Sequence, residues 1–90
     1  METTKNQLEF DFWYSQIGNK TRKLLTIIGI DIIECYNKFW SDKKIANKKG
    51  VQIIDCYFVN RKENIRTGFQ LSGLTVENGK AIAYNEPEFN

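Results

Sequence analysis

The chain has 90 residues, room for one small domain around one thin core, with a net charge of +2, 41% hydrophobic and 27% charged residues. It contains no histidine and two cysteines, Cys35 and Cys56. That composition excludes a Ser-His-Asp triad, a Cys-His nucleophile, histidine-ligated zinc, a four-cysteine metal site and a disulfide framework. No long apolar run and no secretory leader is visible, so the expected setting is cytoplasmic, with no membrane partner, cofactor, metal or small-molecule substrate.

Lys, Asn, Ile, Phe and Tyr make up 40 of the 90 residues, and Lys outnumbers Arg 10 to 3. All five favoured residues have A/T-rich codons, which fits a low-GC bacterium, its phages or its plasmids. Charge is unevenly spread: residues 1–19 carry −2, 20–49 carry +5, 50–66 carry +1 and 67–90 carry −2.

In chain order, residues 1–8 read as a tail. Phe10, Trp13, Tyr14 and Ile17 follow a helical stripe, while Leu8, Phe10 and Phe12 alternate with Glu9 and Asp11 as in a strand. The expectation is a short helix from Glu9, ended by Gly18-Asn19. Gln7 to Phe12 resembles the short peptide by which bacterial proteins bind the sliding clamp; the plainer account of this segment is an arm packing on the domain.

For Thr21–Trp40 the helical period decides. At 100° per residue, Leu24, Leu25, Ile28, Ile32, Ile33, Cys35, Tyr36, Phe39 and Trp40 share one half of the wheel, with Ile27 and Ile30 straying. The segment is expected to be one central amphipathic helix. Gly29 could instead be the turn of a helix-turn-helix, but Asp31 and Glu34 on the recognition helix would repel phosphate. Ser41-Asp42 can cap a short helix over Lys43–Lys49, with Gly50 after its end.

From Val51 the texture is that of strands. Val51–Val59 is β-branched and aromatic, Asn60–Asn64 a polar loop, and Ile65, Thr67, Phe69 and Leu71 alternate with polar residues. Gly73 reads as a bulge, and Asn78-Gly79 as a two-residue turn pairing Glu77 with Lys80. Residues 86–90 read as a second tail. The predicted fold is α+β and a single domain over 1–90: N-terminal helices, dominated by the long central one, packed on a three-stranded antiparallel meander.

The candidate binding residues are the lysines Lys43, Lys44, Lys48 and Lys49, flanked by Arg61, Lys62 and Arg66, with Tyr57 beside Arg66 on the outward sheet face. No Gly-rich phosphate loop and no carboxylate constellation supports catalysis; Asp31 and Glu34 are too few for a cation site. Cys35 and Cys56 read as buried small hydrophobes. The expected function is a non-enzymatic protein-binding module, a phage or mobile-element accessory that inhibits a host enzyme or a defence nucleoprotein complex such as a CRISPR effector. The alternative is a small single-stranded RNA or DNA binder using the basic patch and the sheet-face aromatics.

Overall fold

A computed structural model describes residues 7–87. The chain opens with a long hairpin, β1 (Leu8–Gln16) and β2 (Asn19–Gly29), turned at Ile17-Gly18, where Gly18 takes φ +84. Helix α1 (Ile32–Ser41) and the short α2 (Lys43–Ala46) follow, then β3 (Val51–Asn60) and β4 (Ile65–Gly68). A 3-10 turn over Leu71–Gly73 leads to the hairpin β5 (Leu74–Glu77) and β6 (Lys80–Tyr84). The first four strands form one antiparallel sheet in the order β2-β1-β3-β4, and β5-β6 stand apart as a two-stranded sheet.

This overturns the expected helix-on-meander fold. Residues 21–29 belong to a strand, and the helix begins at Ile32. The run Leu24-Leu25-Thr26-Ile27-Ile28 is long enough in apolar residues to fit a helical arc, yet its burial alternates strictly: Leu25, Ile27 and Gly29 are buried while Leu24, Thr26 and Ile28 are exposed. Ile27, which strays on the wheel, is therefore a core residue, 7% exposed. The β-branched side chains here suit a pleated surface better than a helix.

The expected first helix is also a strand. Phe10, Phe12 and Tyr14 point to one side of β1 and are all buried. Because β1 pairs with β2 on one edge and β3 on the other, it is a central strand. Its Phe12 is fully buried, which removes the clamp-like hexapeptide from any surface. Residues 1–6 and 88–90 of the expected tails lie outside the described residues.

What turns the chain from β2 into α1 is a capping arrangement. Asp31 accepts a hydrogen bond from the Glu34 amide at 2.8 Å, and Glu34 reaches back to accept from the Ile30 amide at 2.7 Å. Helix α1 then lays Ile32, Cys35 and Phe39 on the inner sheet face, where Phe39 meets Phe12 and Tyr14 at ring-centroid distances of 5.0 and 5.6 Å. Its other side holds the β5–β6 hairpin: the Asn37 amide exchanges two hydrogen bonds with the Ala81 backbone, at 3.0 and 2.8 Å.

The meander fails at Gly68. Strand β4 stops there, and Phe69 swings inward against Phe10 and Tyr84, with centroids 5.1 and 5.2 Å away. Gly73 marks no bulge in a continuous strand. It is the crossing where the chain lies against Asn85, whose amide donates to the Gly73 carbonyl at 3.0 Å and whose own carbonyl leaves no room for a Cβ. The Asn78-Gly79 turn is as expected, with φ 53 and 78 and Glu77 paired with Lys80.

Candidate functional site

The β1–β2 hairpin tip and the loop entering β3 meet at one end of the molecule. The Ile17 amide donates to the Gly50 carbonyl at 3.0 Å, Gln16 donates to the Lys49 carbonyl at 3.1 Å, and Gln16 lies opposite both Asn19 and Val51. Gly50 takes φ +71, and a Cβ there would press on Ile17. Helix α2 stays at this end, because the four residues Asn47–Gly50 join it to β3. Asp42 caps α2 by accepting from the Lys44 amide at 2.8 Å.

Sequence order spreads the positive charge over thirty residues; the fold gathers it. Lys20, Arg22 and Lys23 lie on the strand that leaves the tip, and Lys43, Lys44, Lys48 and Lys49 lie on α2 and the loop that leads to Gly50. All are exposed except Lys48, which is half-buried. Among the described residues none of these seven cations forms a salt bridge. Ile17, in the turn between the two strands, is 79% exposed.

The expected flank of Arg61, Lys62 and Arg66 is not part of this surface. Strand β3 runs ten residues, ~33 Å, between Gly50 and Arg61. Arg61 is held there by Glu9 in a two-pronged contact, both arms at 2.7 Å, which raises the guanidinium pKa. Arg66 donates to Asp11 at 2.8 Å, and Asp11, 2% exposed, also accepts from the Thr26 hydroxyl at 2.7 Å. Lys62 sits exposed in the β3–β4 turn.

Tyr57 does share the outward sheet face with Arg66, as the alternation implies. That face also carries Trp13, Leu24, Ile28 and Asp55. On this face Arg61 is held by Glu9 and Arg66 by Asp11. A surface cleft of about 470 Å³ opens beyond Gly68, lined by Ile53, Ile54, Tyr57, Phe69 and Leu71 among others.

Both cysteines are buried and unpaired. Burial pushes the Cys35 thiol up to about 11 and the Cys56 thiol up to about 12. Neither is a poised nucleophile at neutral pH. Among the described residues no three His, Cys, Asp or Glu side chains converge as a metal site, and no helix is long and apolar enough to cross a membrane.

Sequence reasoning missed Ile17 and the β2 cations as part of the site. The signal was present: Gly18-Asn19 between two alternating segments is a hairpin turn as much as a helix stop. No protein-family model, curated protein or solved structure matches the chain.

Proposed function

We propose that the protein is a small non-enzymatic binding module that docks its hairpin end, Ile17 ringed by cations, onto an acidic surface of a protein partner. The observation that supports this reading is that the two segments meeting at the exposed Ile17 carry seven cations, none of them in an ion pair among the described residues. An apolar knob within a charged rim is how protein interfaces combine a desolvated anchor with electrostatic steering. The codon bias of the composition suits an accessory protein of a phage or mobile element, and a host enzyme or defence nucleoprotein complex is the partner class proposed with it.

The single-stranded nucleic acid reading has less support. Such binders stack bases on aromatic rings beside basic side chains. Here the exposed turn residue between the cation-bearing segments is an isoleucine, while Tyr57 lies on the outward sheet face with Arg66, which is already bound to Asp11, and Trp13 lies opposite Asp55. The test is affinity isolation from host lysate in parallel with a gel shift on random RNA. A discrete protein retained by the wild type and lost by Ile17→Ser supports the reading. A salt-dependent RNA shift that Ile17→Ser leaves unchanged contradicts it.

A further inference from the structure

Strand β2 is an edge strand of eleven residues whose outer side pairs with no other strand among the described residues. Its polarity can be read from one contact. The Lys38 ammonium donates to the Ile28 carbonyl at 2.9 Å, so the Ile28 backbone faces away from β1. Backbone groups alternate along a strand, so those of Leu24 and Thr26 face outward too. The residues with outward backbones also carry exposed side chains on the sheet face opposite α1. Leu24 is 45% exposed and Ile28 48%, and Ile30 beyond the strand is 55% exposed. A long edge with apolar side chains and unsatisfied backbone groups is a template for another strand.

We propose that β2 is the contact edge of a two-fold dimer in which β2 of a second copy of this chain pairs with it antiparallel, Thr26 on the axis. The sequence around Thr26 is self-complementary. Leu24 falls opposite the partner's Ile28, Thr26 opposite the partner's Thr26, and Leu25 opposite the partner's Ile27. The residues brought into direct register with outward backbones are those whose amides and carbonyls can bond across the axis, so geometry and side-chain pattern agree. In this register Lys23 falls opposite the partner's Gly29, so the pairing spans Lys23 to Gly29 of each copy. A register shifted by two toward the strand's start sets Ile28 against the partner's Arg22. The opposite shift runs past Gly29, where β2 ends.

Lys38 is the monomer's substitute for this contact. Its side chain is half exposed, and it can swing away to yield the Ile28 carbonyl. The pairing closes on itself, because the sheet's other edge strand, β4, has four residues, too few to repeat the contact. The resulting eight-stranded sheet would carry both helices α1 on one face. The pairing does not rest on the hairpin-end reading: of the residues of that surface only Lys23, opposite the partner's Gly29, lies within it.

Sedimentation equilibrium of the full chain, from about 1 µM to about 1 mM, tests it; strand pairing without a large buried face predicts a dissociation constant on the order of 10–100 µM. Leu24→Lys and Ile28→Glu should each weaken the dimer about tenfold or more. The double variant should recover it, because the two new opposite charges then face each other across the axis. In the wild type, hydrogen exchange at the Leu24, Thr26 and Ile28 amides should slow as concentration rises, a readout that needs no variant to fold. A wild type that stays monomeric at about 1 mM, or exchange independent of concentration, overturns the proposal. Single variants that dimerise as well as the wild type, or a double variant that stays as weak as either single, overturn it too.

Discussion

Asp11 is a charge in the middle of the central strand, and its neighbours explain how the fold tolerates it. The Thr26 hydroxyl and the Arg66 guanidinium both donate to it. Arg66 therefore holds a buried carboxylate before it binds anything else. Arg66→Ala should lower stability by ~1–3 kcal/mol, less than a fully buried pair because the arginine is half exposed. Thermal melts check this, and the double variant Asp11→Ala, Arg66→Ala should lose less than the two single losses added together. The thiols give a second residue-level test. In the folded chain Cys35 and Cys56 ionise near 11 and 12, against an ordinary 9.0. The folded state thus keeps protons that the unfolded chain releases above 9.0. Their stabilising contribution is complete below pH 9 and is lost as the pH climbs towards 11–12. Melting temperature should fall through that alkaline range, and Cys56→Ala, though less stable at neutral pH, should show a shallower fall.

At the scale of elements, β3, the loop after it and the last hairpin were legible, as was the short helix after Asp42, whereas β1, β2 and the separation of β5–β6 from the main sheet were not. Strand β3, the polar loop and the Asn78-Gly79 hairpin follow from β-branched runs and from turn chemistry, which are local. Gly79→Val should cost ~1–2 kcal/mol, since a β-branched residue resists φ +78; an unchanged melting temperature would show that the turn bears no such strain. In the first half, Leu24 to Ile28 is apolar on both faces, and a continuous apolar run satisfies a period of two as well as one of 3.6. Three local signals favour the strand: β-branched side chains, Gly29 as a break, and Asp31-x-x-Glu34 as a helix start. Asp31 and Glu34, too few for a cation site, serve as the helix cap instead. For β1 the alternation of Phe10 and Phe12 with Glu9 and Asp11 carried the right answer. What the sequence could not supply was the partner strand on each side, which makes burial of Phe10, Phe12 and Tyr14 favourable. The break at Gly68 was hidden for the same reason, because Phe69 leaves the alternation to fill a space between Phe10 and Tyr84.

Across the whole molecule, charge is sorted by end and face. The hairpin end is basic, while the outward sheet face pairs its arginines with Glu9 and Asp11. Of the expected binding residues, Lys43, Lys44, Lys48 and Lys49 fall on α2 and the loop before β3, whereas Arg61, Lys62 and Arg66 lie at the far end of β3. Proximity across a hairpin depends on which end of the strand a residue occupies, and strand direction cannot be read from composition. The central claim is that the hairpin end is the docking surface. The most direct test is the affinity of the isolated partner for wild type and for the double reversal Lys44→Glu, Lys48→Glu, measured over a range of salt. Neither lysine's ammonium forms an ion pair or hydrogen bond among the described residues, and the Lys44 amide that caps α2 is backbone, so melting temperature should barely change. The account predicts binding about tenfold or more weaker at low salt, with a flattened salt dependence. Wild-type affinity in the reversed protein at every salt concentration would contradict it.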